Sequence, residues 1–142
     1  MVLKSLIKKC DNRVSYYNNL KVKKIGTVSK LVEINENRNN SYDMLKNILS
    51  NTGKGVYIFV KNGKVKYVGE AHERDVYDRI RQHFSKNDTG RNKELCDDLI
   101  KDYNNGYNGY TLYVVEEENT RDIKNVEQLL ICLTDPDFNK NK

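Results

Sequence analysis

Apolar residues recur every three or four positions near the start of the chain, at Leu3, Leu6, Ile7, Cys10, Val14 and Tyr17. That spacing predicts an amphipathic helix over residues 2–18. From Val22 to Ile34 the periods mix (Val22, Ile25, Val28, Leu31, Val32, Ile34), which predicts one or two strands with a break near Gly26. Residues 35–41 are polar and read as a loop. Ser41 stands where it can cap a helix through Met44, Leu45, Ile48 and Leu49, stopped by Asn51-Thr52-Gly53.

The next segment reads as a hairpin. Val56-Tyr57-Ile58-Phe59-Val60 and Val65-Lys66-Tyr67-Val68 are β-branched and aromatic, and Lys61-Asn62-Gly63-Lys64 joins them. An Asn-Gly pair suits the two positive φ angles of a type I′ turn. A helix at about residues 74–85 has Val76, Ile80 and Phe84 as its buried stripe, with Arg79 and His83 one turn apart beside it. A polar loop at 86–91 leads to a helix with Cys96, Leu99, Ile100 and Tyr103 on one face, ended by Asn104-Asn105-Gly106. Residues 110–116 read as a third strand. A last helix over about 121–133 would bury Ile123, Val126, Leu129, Leu130 and Leu133, and Thr134-Asp135-Pro136 stops it. The order β-β-α-α-β-α predicts an α+β domain, a small antiparallel three-stranded sheet flanked by helices.

At 142 residues the chain is one domain, or one domain with an extension. Its expected division is a basic N-terminal extension over 1–52, for DNA binding or dimerisation, and a main domain over 53–142. The three cysteines (Cys10, Cys96, Cys132) form no Cys-x-x-Cys pair, which argues against a zinc ribbon and suits a reducing compartment. Each falls in an apolar helical pattern and is expected as a small core residue. No apolar run is long enough to span a membrane, and no signal core is visible, so a cytoplasmic location is expected. The net charge of +5 leans toward polyanionic partners.

Chemistry is concentrated in an ordered set: Gly55-Val56-Tyr57, Tyr67-Val68-Gly69, Arg79-Ile80-Arg81-Gln82-His83, then Glu127-Gln128-Leu129-Leu130-Ile131 with Pro136 and Asn139. These are the parts of a phosphodiester-cleaving site. Glu127 lies inside an apolar helix and is the candidate metal ligand; one carboxylate suffices for Mg²⁺, which keeps several waters. Its rivals, Glu116, Glu117 and Glu118, look like a solvated strand end. An arginine can clamp a phosphate with two parallel hydrogen bonds at any working pH, and here Arg79 competes with Arg81. A free tyrosine, with a pKa of about 10, needs help from a metal-ordered water or a neighbouring base to handle protons at neutral pH.

Gly-Val-Tyr followed by Tyr-Val-Gly resembles the paired signature of the GIY-YIG nucleases, and the resemblance covers roughly residues 53–140 of this chain. It implies the same small sheet. It implies that Tyr57 contacts the attacking water and Tyr67 supports it. It selects Arg79, four residues before His83, as the phosphate clamp. The gap from Gly69 to Arg79 is longer than in compact members, and Arg79 keeps its place if the extra residues lie in the loop. The resemblance further implies His83 as an acceptor of the Tyr57 proton or a phosphate contact, Glu127 as the ligand of Mg²⁺ or Mn²⁺, and Asn139 as an orienting hydrogen-bonder. Gly55 and Gly69 are structural, and His72 reads as a loop residue.

DNA is the expected partner. Lys4, Lys8, Lys9 and Arg13 on the first helix can track phosphates, as can Arg81, Lys86, Arg91 and Lys93 around the loop after Arg79. The reading is a metal-dependent DNA endonuclease of phage, mobile-element or restriction type, leaving 5′-phosphate and 3′-hydroxyl ends. A homodimer stays open as a route to cutting both strands. The competing readings are a catalytically silent DNA-binding regulator of the same fold and, less favoured, a small interaction module.

Overall fold

The computed structural model describes residues 22–27, 49, 52–83, 93–104 and 109–139. The helix expected at 2–18 and the loops at 35–41 and 86–91 lie outside the described residues. So do most of the helix capped by Ser41 and, within the chain's basic set, Lys4, Lys8, Lys9, Arg13, Lys86 and Arg91. Among the described residues the strands are β1 (Lys23–Thr27), β2 (Gly55–Lys61), β3 (Lys64–Ala71) and β4 (Tyr110–Glu116). The helices are α1 (Val76–His83), α2 (Lys93–Asn104) and α3 (Thr120–Thr134).

The fold is α+β, and its antiparallel sheet has four strands in the order β1-β4-β2-β3. This corrects the expected three-stranded sheet. The added strand comes from the stretch whose periods mixed. β1 lies along the outer side of β4, and its register shifts between Lys24 and Gly26. Gly26, at φ 145°, absorbs that shift in a backbone conformation that side-chain-bearing residues avoid. The pattern predicts a strand here; what it does not carry is the pairing with β4 that joins the strand to the sheet.

The hairpin closes as its sequence predicts. Asn62 (φ 54°) and Gly63 (φ 75°) both take positive φ, the signature of the type I′ turn whose twist matches the strands. β2 pairs with β3 on one side and β4 on the other. Phe59 faces Tyr67 and Val60 faces Val65, so Lys66 is an extra residue on β3 and makes a bulge. The bulge lets Val65 and Val68 share one face while Tyr67 and Ala71 share the other.

Two cores result, one on each face of the sheet. Tyr57, Phe59, Tyr67, Leu112 and Val114 pack against Val76 and Ile80 of α1, Leu95 and Leu99 of α2, and the helical Leu49. Val56, Ile58, Val68 and Val115 pack against Ile123, Val126 and Leu130 of α3. A strand covered on both faces must be apolar on both, which explains the unbroken run Val56–Phe59. Along α3 the buried face is Ile123, Val126, Glu127 and Leu130. Leu129 and Leu133, expected in the core, are only half-buried at its flanks, and Cys132 is exposed rather than packed inside. The helix face inward of the sheet is narrower than its apolar content.

α3 is well bounded. The Asn119 side chain accepts from the N–H groups of Arg121 and Asp122 at 2.9 and 3.2 Å, and Asp135 ends the helix in the left-handed region ahead of Pro136. Asp75 starts α1 by accepting from Asp78 N–H at 2.9 Å. The chain between Gly69 and this helix is therefore taken up by the last two residues of β3 and the bend at 72–75, and Arg79 sits in the first turns of α1. Among the described residues no helix is long and apolar enough to cross a membrane.

Candidate active site

Tyr57 and Gly69 are direct partners across the hairpin, and this pairing organises the site. The Tyr57 ring covers Gly69: a Cβ at position 69 would stand 2.3 Å from Cζ and 2.4 Å from the hydroxyl oxygen. The glycine of the second triplet thus makes room for the tyrosine of the first. Tyr67 lies on the same sheet face, its ring centroid 6.2 Å from that of Tyr57 with the planes tilted by 34°. Phe59 meets Tyr57 edge-on at 6.2 Å. Gly55 has a comparable role one strand over, since a Cβ there would meet the Val115 carbonyl oxygen at 2.2 Å, inside contact distance.

Tyr67, Arg79 and Glu127 all bear on the Tyr57 hydroxyl. Burial pushes the Tyr57 hydroxyl well above the ordinary tyrosine range; neighbouring Tyr67 raises it further, Arg79 pulls it down, and Glu127 pushes it up again. Tyr57 is fully buried, so these fields act through protein rather than water. Arg79 is exposed on α1, as a group that must meet a ligand phosphate would be. Glu127 is 5% exposed, which makes it the buried carboxylate among the described residues. Its helix packs on one sheet face and Tyr57 points from the other, yet the two interact.

Asn139 approaches from 71 positions away. Its Oδ1 accepts from Val68 N–H at 2.9 Å and its Nδ2 donates to the Val68 carbonyl at 2.8 Å. Val68 is the middle of the second triplet, on the outer strand of the sheet. The side chain amide thus satisfies both backbone groups of an edge residue between Tyr67 and Gly69. Phe138 N–H donates to the Lys66 carbonyl at 3.0 Å, and Asp137 pairs with Lys64 and Lys66, each at 2.6 Å. Residues 137–139 form a strap along β3.

His83 and Arg81 have their backbone in α1, and Lys93 opens α2; the side chains of all three lie outside the described residues.

A cleft of about 310 Å³ opens beside Arg79, lined also by Glu70, Ala71, His72, Glu73 and Arg74. The sequence reading left Glu70 and Arg74 unmentioned and took His72 for a plain loop residue. The signal was period two: Glu70 and His72 continue the alternation of β3 and fall on one side.

The donor set speaks to the kind of metal it suits. Among the described residues no three His, Cys, Asp or Glu side chains cluster, so a zinc-type ligand cage is missing there. One buried carboxylate beside a buried hydroxyl suits a hard cation that retains most of its waters.

The family model described as the GIY-YIG catalytic domain matches residues 53–141, more than half of the chain's 142 residues. No curated protein matches the chain significantly.

Proposed function

Because the chain belongs to the GIY-YIG nuclease family, we propose that it is a DNA endonuclease that hydrolyses phosphodiester bonds with a single divalent cation, Mg²⁺ or Mn²⁺, leaving 5′-phosphate and 3′-hydroxyl ends. The observation that carries this reading is the convergence of Tyr57, Tyr67, Arg79 and Glu127, drawn from two strands and two helices, around the Tyr57 hydroxyl.

In this reading Arg79 grips the scissile phosphate with its guanidinium fork and holds the charge that builds up on the equatorial oxygens. Tyr57, whose hydroxyl is held well above the ordinary tyrosine range chiefly by burial and by Tyr67, contacts and orients the attacking water. Tyr67 fixes the Tyr57 ring against Gly69. Glu127 would hold the cation, which when bound supplies Lewis acidity toward the phosphate and stabilises the departing oxygen. Asn139 is a positioning residue that locks β3 through Val68. Lys4, Lys8, Lys9 and Arg13 and the basic residues after α1 would track the DNA backbone.

The test is supercoiled plasmid with Mg²⁺, beside the same reaction in excess chelator. Metal-dependent conversion to open-circle or linear DNA is the expected result. Glu127→Ala should abolish cleavage while DNA binding persists, and Arg79→Lys should slow turnover by about 10²-fold or more, as loss of a transition-state contact does. Cleavage by the Glu127 variant at the wild-type rate sinks the metal assignment; unchanged turnover with Lys sinks the clamp. A wild-type protein that binds plasmid but leaves it intact would favour the silent regulator.

A further inference from the structure

Two exposed arginines line the cleft at the end of β3: Arg79 from α1 and Arg74 from the bend before it. The cleavage chemistry occupies Arg79 with the scissile phosphate and gives Arg74 nothing to hold. Among the described residues the Arg74 side chain has no ion-pair partner. Phosphates follow one another along a DNA strand, so a second guanidinium fork in the same cleft can take the next one.

Inward of the arginines the cleft is rich in acceptors. His72 sits where β3 ends and the bend toward α1 begins. Its Nδ1 lies 2.9 and 2.8 Å from the two carboxylate oxygens of Glu70. A carboxylate accepts, so Nδ1 donates and the direction of the ring is fixed. The neutral ring then presents Nε2 as an acceptor. The Glu73 carboxylate stands 3.7 Å from Nε2, too far for a hydrogen bond. The His72 and Glu70 side chains are 29% and 18% exposed, so they form the inner wall while the arginines form the rim. A phosphate suits the rim and is repelled by Glu70. A base edge suits the inner wall if it offers a donor. In the major groove only adenine and cytosine offer one, the exocyclic amine, whereas guanine and thymine set an oxygen against the acceptors. The cleft volume of about 310 Å³ is in the range that holds one small ligand. Glu70 pairs in register with Val56, next to the Tyr57–Gly69 pair, so the acceptors are fixed to the same strands as the catalytic tyrosines.

We propose that this cleft is the subsite for the nucleotide flanking the scissile phosphate. Arg74 takes the neighbouring phosphate, and His72, oriented by Glu70, accepts from the amine of adenine or cytosine. The inference rests on the endonuclease reading above and adds to it a preference for the base beside the cut. Glu70 is a positioning residue that keeps the imidazole turned to the base.

The experiment has two arms, with thermal unfolding measured on each variant. In the first, cut sites are mapped in Mg²⁺ on duplex DNA with randomised positions, for wild type and His72→Phe. Wild type should favour adenine or cytosine over guanine or thymine by about 3- to 10-fold at one position beside the cut, the worth of one hydrogen bond. His72→Phe keeps a ring in place but no acceptor, and should lose that preference while keeping those at other positions. Purine in place of adenine, or pyrimidin-2-one in place of cytosine, should cost the wild-type protein the same factor, a result that depends on no variant folding. In the second arm, duplex binding is followed over a salt series in chelator. Arg74→Ala should weaken binding on every sequence and lower the slope of log affinity against log salt by about one. A wild-type protein indifferent to the flanking base or to loss of its amine overturns the base contact, as does a His72→Phe protein with the preference intact. An unchanged salt slope in Arg74→Ala overturns the phosphate contact. A wild-type protein that binds DNA without cutting it overturns the endonuclease reading alone; the binding arm, run on the same series of bases, then decides the subsite by itself.

Discussion

At position 69 there is no room for a methyl group, because Tyr57 Cζ stands 2.3 Å from where it would be. Gly69→Ala must therefore push the Tyr57 ring off the strand. The expected cost is about 1–3 kcal/mol of stability, as for other overpacked sites, with a larger loss of plasmid nicking because the displaced ring carries the hydroxyl. Urea unfolding and nicking rates on the same preparation separate the two. The reverse problem arises at Asn139, which is buried and bonded at both ends of its amide to Val68. Asn139→Ala leaves an N–H and a carbonyl at the sheet edge without those partners, worth about 1–3 kcal/mol if they stay dry. Asn139→Asp keeps an acceptor for the N–H but sets a carboxylate oxygen against the carbonyl, so it too should unfold at lower denaturant than wild type.

The elements show where local signals suffice and where they do not. The hairpin was legible from Asn62-Gly63 between two β-branched runs, and β4 was legible at its observed bounds, because turn geometry and alternation are local properties. β1 was legible as a strand with a break near Gly26 but not as a member of this sheet, because its pairing with β4 joins segments far apart in the chain. Leu129, Leu133 and Cys132 misled for a related reason: periodicity names an apolar stripe but not how much of it the sheet covers. Of the strap over β3 only Asn139 was legible, and the ion pairs of Asp137 make a pH prediction. Lys64 and Lys66 hold the Asp137 carboxyl below the usual carboxylate range. A depressed folded-state pKa means the contribution is present above the unfolded value of about 3.9 and is lost as pH falls through the folded one. Asp137→Asn should therefore be less stable than wild type at neutral pH, with the gap closing in acid. Urea midpoints against pH check this. Lys64, raised by the same partner, sets the opposite limit, its contribution fading as pH rises through its folded-state value.

For the whole molecule, the sheet joins the signature region to a strand that precedes it by about 27 residues of chain, so the division at 52 is a boundary in sequence pattern that the sheet crosses. A fragment of residues 53–142 loses the β1 ladder and the packing of Val22 and Ile25, and bares the edge of β4. It should unfold at lower urea than the full chain and associate at concentrations where the full chain does not; light scattering and unfolding curves measure both. Within the site, the sequence determined the parts. Two triplets on an Asn-Gly hairpin, an arginine on the following helix, a glutamate on the last helix and a downstream asparagine were all visible as residue types in the family's order, since motifs and helical periods are written in short stretches of chain. The tertiary structure decided how they meet. It laid Tyr57 over Gly69, brought Asn139 to Val68 across 71 positions, buried Glu127 within the field of Tyr57, and turned Glu70 and His72 into a pair facing the Arg79 cleft. Those contacts depend on strand register and on which helix face the sheet buries, and both are settled by packing between segments far apart in the chain rather than by any local run of residues.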